Sequence, residues 1–266
     1  MQKKGRKRSM RILAVGDIVG ENGLKKAKEV LPELKEKENI DFVIMNGENV
    51  ADGMGITHKH YKQMIEMGVD VVTLGNHTWA KKDVFTFIDE EERLIRPANY
   101  TEGVLGKGYV IVECKNKKIA VINLIGRTEM NVLSENPFVK AKHILEEIDK
   151  KADIIVVDFH AEASAEKIAM GYYLDGKVSV VFGTHTHVQT ADETILGNGT
   201  GYITDIGMTG PIKSVIGMEV GASLKRFETS LPERYKLADG KCVFSGCIFE
   251  VDDETCRTTD IKRVKM

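Results

Sequence analysis

Short apolar runs punctuate the chain at wide intervals. Ile12-Leu13-Ala14-Val15, Phe42-Val43-Ile44-Met45, Val71-Val72, Ile154-Ile155-Val156-Val157 and Val180-Val181-Phe182 are dense in Val and Ile, with no polar residue at alternate places. That pattern predicts strands buried on both faces, as in parallel sheets covered by helices. Between the runs the period changes. Leu24, Ala27, Val30, Leu31 and Leu34 form a stripe that predicts a helix over 22–38, with Pro32 expected to kink or divide it. Thr57 is a candidate N-cap for a second helix, and a third is expected over 82–91, so residues 11–91 read as three βα units. Residues 104–125 read as a hairpin turning near Asn116, followed by a helix over 137–150, a strand over 153–159, a helix over 163–174 and a strand over 178–182. From 188 onward, seven glycines between 197 and 221 give strand-and-turn text, and 241–251 with 257–264 read as paired strands. Each half combines parallel βα units with antiparallel strands. The expected fold is α/β, two mixed sheets packed face to face and flanked by helices, in one domain over 10–266.

The apolar runs all stop at residues that bind metals. The first runs into Asp17, the second into Glu48-Asn49, the third into Asn76-His77, the fourth into His160 and the fifth into His185-Thr186-His187. In open α/β sheets, ligands bind outside the carboxyl ends of the strands, so these residues are expected to meet on one rim. The oxygen and imidazole donors, without thiolate, suit Fe, Mn, Zn or Co better than Ca or Mg. Asp17, Glu48, Asn49, Asn76, His160, His185 and His187 exceed the needs of one ion. They fill two sites if one carboxylate bridges, and two ions about 4 Å apart clamp a phosphorus centre for in-line attack. Singly each has a plainer role: Asp17 as a helix cap, Glu48-Asn49 as a turn, His160 as a hydrogen-bonded structural histidine. His58, His60 and His143 fall on helices or their starts and are expected to face solvent.

Composition narrows the class. The 266 residues can bury a sizeable core without disulfides. The formal charge is −2, but Lys3, Lys4, Arg6, Lys7 and Arg8 sit together, and the remainder carries 33 basic against 40 acidic groups. A body that acidic is a poor binder of duplex nucleic acid. Residues 1–9 read as a basic disordered tail; no apolar h-region follows, and no stretch is long enough to span a bilayer. A cytoplasmic protein with reduced cysteines is expected, since Cys114, Cys242, Cys247 and Cys256 fit no usual zinc spacing.

The ordered set Gly16-Asp17, Asn46-Gly47-Glu48-Asn49, Gly75-Asn76-His77, His160 and Gly183-Thr184-His185-Thr186-His187 resembles the calcineurin-like metallophosphoesterases, and more narrowly their YmdB-like bacterial branch. The resemblance runs from Ile12 to about residue 264 and includes Asn123-Leu124-Ile125-Gly126-Arg127 and the 204–211 segment. It departs from the wider superfamily: Asp-x-His is here Asp17-Ile18-Val19, the bridging Asp is Glu48, and the acid after Gly-Asn-His is Thr78. The branch shares these departures.

The resemblance implies an α-β-β-α sandwich and a dinuclear centre of Fe or Mn, with Zn as an alternative. Asp17, Glu48, Asn49 and His187 would hold one ion. Glu48, Asn76, His160 and His185 would hold the other, and unligated His77 would act as general acid. It further implies hydrolysis of small phosphodiesters, above all 2′,3′-cyclic nucleotides. Arg127 and the 205–211 loop are candidates to line the cleft, although the loop reads equally as a tight turn with positive φ at Gly207 or Gly210. Trp79 is expected to pack at the rim rather than stack on a base. Alternatives are a phosphomonoesterase or pyrophosphatase on the same centre, or a nucleotide- or partner-binding regulator; homo-oligomerisation is compatible with all.

Overall fold

The computed structural model describes residues 9–234 and 236–266. The chain opens with β1 (Ser9–Val15), β2 (Asp17–Ile18) and α1 (Gly20–Lys37). Then come β3 (Phe42–Asn46), α2 (His58–Glu66), β4 (Val71–Thr73), a 3-10 turn over Lys82–Thr86 and β5 (Leu94–Ile95). The hairpin β6 (Tyr109–Cys114) and β7 (Lys117–Ile125) leads to α3 (Pro137–Glu147), β8 (Ile154–His160), α4 (Ser164–Leu174) and β9 (Val180–Thr184). The last third holds β10 (Thr194–Ile195), β11 (Gly201–Ile203), β12 (Met208–Pro211), α5 (Val220–Thr229), β13 (Cys242–Val243), β14 (Ser245–Asp252) and β15 (Thr258–Lys265).

The strands form two six-stranded mixed sheets, ordered β15-β14-β1-β3-β4-β5 and β10-β11-β9-β8-β7-β6, and a small sheet β13-β12-β2. Ile12, Ala14, Phe42, Ile44 and Val71 from the first large sheet meet Val121, Ile154, Val156, Val180 and Phe182 from the second in one buried layer. Their sequence neighbours Leu13, Val15, Val43, Met45 and Val72 point the other way, onto Leu24, Ala27, Leu31 and Leu34 of α1 and Tyr61 and Met64 of α2. Behind the second sheet, Ala120, Ile122 and Val157 pack with Ala141 and Ile144 of α3 and Met170 and Leu174 of α4. This is the expected α-β-β-α layering, and it explains the unbroken apolar runs: both faces of each central strand are covered. The five runs belong to two sheets, β1, β3 and β4 to the first and β8 and β9 to the second.

Several expectations need correction. α1 is continuous through Pro32. Pro32 and Lys28 lie on its exposed side, where solvent can satisfy the Lys28 carbonyl that loses its helical partner. The helix expected over 82–91 is a 3-10 turn, and Phe87 N–H bonds back to Val84 O, the spacing that sends both side chains into the core. α5 falls in text read as strand and turn; Ser223 is its only buried residue, so no apolar stripe announces it. The basic residues of the expected tail lie outside the described residues, and Ser9 already belongs to β1, its hydroxyl donating to Glu250 Oε1 at 2.9 Å. His60 is buried rather than solvent-facing, between Thr57 and Glu21. Thr57 does cap α2, accepting the His60 N–H. The β6–β7 turn lies at Lys115-Asn116, both with positive φ, as a two-residue hairpin loop requires.

Candidate metal centre

Each candidate side chain sits at or just beyond a strand end. β1 ends at Val15 and passes through Gly16 to Asp17, the first residue of β2; β3 ends in Asn46 before Glu48-Asn49, and β4 leads into the loop carrying Asn76 and His77. His160 closes β8, and the turn after β9 carries His185 and His187. The two sheets share one rim, and there these groups converge. His160 Nε2 lies 3.0 Å from Glu48 Oε1, 2.8 Å from Asn76 Oδ1 and 3.1 Å from His185 Nδ1. His187 Nε2 lies 3.3 Å from Asn49 Oδ1. Asp17 Oδ1 is 4.0 Å from His160 Nδ1, and its Oδ2 accepts the His185 N–H at 3.3 Å. His77 meets the cluster through its backbone, donating its N–H to Glu48 Oε2 at 3.0 Å.

Close approach needs missing side chains. A Cβ on Gly75 would stand 2.3 Å from Glu48 Oε2 and 2.4 Å from His160 Nε2, so only glycine lets carboxylate and imidazole reach the backbone there. A Cβ on Gly16 would meet the Gly207 carbonyl at 2.1 Å. Gly207 itself takes φ +77°, whereas Gly210 does not have a positive φ and lies in β12. Of the loop considered for the cleft, this part is a backbone prop for the site.

The three cluster histidines are each bonded on the side away from it. His160 Nδ1 contacts Thr184 Oγ1 at 2.9 Å, and that hydroxyl donates to Asp158 Oδ1 at 2.7 Å, so the imidazole must be the donor. His187 Nδ1 donates to Ile216 O at 2.9 Å, and His185 Nε2 faces Glu162 Oε2 at 3.1 Å. The other ring nitrogen faces the cluster, where it would bind a cation, His160 first giving up the proton that Glu48 otherwise holds on it; this is the usual arrangement behind metal-binding histidines. Asn49 Nδ2 donates to Gly53 O, which turns its Oδ1 inward.

Electrostatics point the same way. Asp17, Glu48 and His160 are essentially inaccessible to solvent. Burial raises the Asp17 pKa, and its Oδ1 has no hydrogen-bond partner among the described residues. Burial alone would raise Glu48 too, but charge and hydrogen bonding from His160 pull it down to about 2. His160 is lowered by burial, yet Glu48 above all, with Asp17 and Asp158, lifts it to about 9. His185 is pushed down to about 3, by burial and then by His160. Two buried carboxylates, one with an orphaned oxygen, against inward-facing imidazole nitrogens form a set that fits hard or borderline cations. One ligand atom each from Glu48, His160 and His185 lies within 4.8 Å of the others, a span one ion can bridge.

The sequence did not disclose the supports: Asp158, Thr184, Glu162, and the buried pair Lys167–Asp205. Lys167 had a signal, because with Met170, Gly171 and Leu174 it occupies the buried stripe of α4. Thr78 does not orient His77; its hydroxyl closes on Gly75 O at 2.6 Å, beside the Tyr100 hydroxyl. Trp79 packs against the core and stacks on Phe85, centroids 5.5 Å apart. Arg127 is exposed, its backbone N–H held by Glu166. The four cysteines are free.

Comparison with known proteins agrees with this architecture. The chain is 50% identical over 255 residues to a 2′,3′-cyclic-nucleotide 2′-phosphodiesterase of Bacillus subtilis, covering 96% of each chain. A novel phosphatase from Mycoplasma pneumoniae superposes with a TM-score of 0.93 at 35% identity, over 98% of this chain and 94% of that one. A hypothetical protein from Thermus thermophilus superposes with a TM-score of 0.91 at 40% identity, over 97% of this chain and 99% of that one. The family model described as YmdB-like protein matches residues 13–264. With the match extending over both sheets and the whole rim between them, the chain belongs to the YmdB-like protein family.

Proposed function

We propose that the protein is a metal-dependent phosphoric ester hydrolase that opens small phosphodiesters, with 2′,3′-cyclic nucleotides as its substrate class. The observation that carries this reading is the meeting of buried Asp17 and Glu48 with His160, His185 and His187 at one rim, each imidazole turning a ring nitrogen inward. The activity named for the half-identical Bacillus relative supports the substrate class.

In this reading Asp17, Glu48, Asn49 and His187 hold one cation, Glu48, Asn76, His160 and His185 hold the second, and Glu48 bridges. Fe or Mn suits the nitrogen and oxygen donors, with Zn as the alternative. When bound, such ions supply a nucleophile at neutral pH and neutralise charge on the phosphoryl oxygens. The protein's own groups do the rest. Glu48 fixes the loop of His77 through the backbone N–H and leaves the imidazole for substrate. Burial lowers the His77 pKa, which makes its protonated form a stronger acid toward the departing ribose oxygen. Asp158 and Thr184 hold His160 in the tautomer that keeps Nε2 inward. A cavity of about 330 Å³ opens beside His187, lined by Val188, Met208, Ile212, Ile216 and Val243, and in this reading it receives the nucleoside. Free thiols accord with a cytoplasmic enzyme.

The test is elemental analysis of the purified protein together with rates on a 2′,3′-cyclic nucleotide, p-nitrophenyl phosphate and a nucleoside diphosphate. Two transition-metal ions per chain and preference for the cyclic diester are expected. Preference for p-nitrophenyl phosphate or the diphosphate would move the function to a monoesterase or pyrophosphatase. Metal without turnover would favour a regulator that binds its ligand.

A further inference from the structure

A buried ion pair stands behind the turn that carries His185 and His187. Lys167 on α4 and Asp205 after β11 are 1% and 0% exposed, and Lys167 Nζ donates to Asp205 Oδ2 at 2.6 Å. The same carboxylate oxygen accepts both polar hydrogens of Thr186, N–H at 3.1 Å and Oγ1–H at 2.8 Å. Asp205 Oδ1 accepts the Gly207 N–H at 2.8 Å, and the Gly207 carbonyl accepts the Asp17 N–H at 3.1 Å. One buried carboxylate thus connects the turn after β9 to the strand that delivers Asp17.

The turn needs such support. His185 has φ +100° and His187 φ +64°, so two non-glycine residues flanking Thr186 take positive φ. Backbone of that kind persists only where its surroundings over-determine it. Thr186 is the one residue between the two imidazoles, and Asp205 engages both its polar groups. Lys167 supplies the opposite charge to a carboxylate that is buried with it. A small residue and a neutral acceptor would have sufficed to fill the space; a charged acceptor with four donors fixes direction as well.

We propose that the Lys167–Asp205 pair is a positioning device which, through Thr186, sets the spacing of His185 and His187 and thereby couples the affinities of the two metal positions. The proposal rests on the reading of those histidines as ligands of different ions. It distinguishes the pair from Glu162, which touches His185 alone of the two.

The experiment is titration of the metal-free protein with Mn²⁺, followed by calorimetry, with the thermal midpoint of each metal-free variant measured beside it. Thr186→Val removes the hydroxyl donor at a half-exposed position and should weaken both binding steps by about 10–100-fold, the range for supports behind metal ligands. Thr186→Ser should restore both to within about twofold, and Glu162→Gln should weaken one step only. Asp205→Asn should reproduce the two-step loss in a second way. Wild-type Mn²⁺ binding by Thr186→Val, loss confined to one step, or a fall in its metal-free midpoint that accounts for the weakening would overturn the proposal. The ligand reading fails separately: His185→Ala and His187→Ala would then each keep both steps.

Discussion

His77 and His160 illustrate how neighbouring imidazoles come to lie in different settings. His160 is fully buried against Glu48, whereas His77 offers Glu48 only its backbone N–H and keeps a half-buried ring. If His77 is the proposed general acid, replacing it with Ala should lower kcat by about 10²–10⁴-fold, while elemental analysis still finds the wild-type metal content. Loss of metal from that variant would make His77 a ligand instead. The His160–Glu48 pair also gives the metal-free protein a pH signature. His160 is raised from 6.5 to about 9, so its contribution is whole below the unfolded value and fades as pH climbs through 9. Glu48 is lowered from 4.5 to about 2, so its contribution is whole above 4.5 and fades as pH falls toward 2. Urea midpoints of the chelated protein should peak between about pH 4.5 and 6.5 as far as this pair is concerned, and Glu48→Gln should flatten that peak.

At the scale of elements, the loops are fixed by the regular structure that brackets them. The loop carrying Glu48 and Asn49 runs from β3 into α2, whose first turn is closed by Thr57. Thr57→Ala should cost about 1 kcal/mol of stability in denaturant unfolding, within the range for lost N-caps. The strands and the helices with a wide apolar stripe were legible because both announce themselves by period. What escaped has a physical reason in each case. α5 buries almost nothing, the 82–86 turn packs by 3-10 spacing, and Pro32 is tolerated because its side of α1 faces water. The seven polar rim residues were legible as strand-end punctuation. Asp158, Thr184 and Asp205 were not, because a buried Asp or Thr within or beside a strand leaves no periodic mark and acquires meaning only from a partner on another element.

For the whole molecule, the rim draws Glu48, Asn49 and Asn76 from the end of one large sheet, His160, His185 and His187 from the end of the other, and Asp17 from β2 of the small sheet, directly after β1. Its ions should therefore stabilise the entire fold. A site held about 100-fold above its Kd adds about 2.7 kcal/mol, so chelation should lower the melting temperature by roughly 5–10 °C per site at this chain length. An unchanged melting curve after chelation would mean that the rim does not hold ions across the sheets. The shared rim carries a kinetic consequence too. On the proposed ligation, cations held from both sheets would act as a rivet through the sandwich, and the layers would not part until the rivet is drawn. The lifetime of the loaded protein under heat or denaturant would then be governed by how slowly its ions escape.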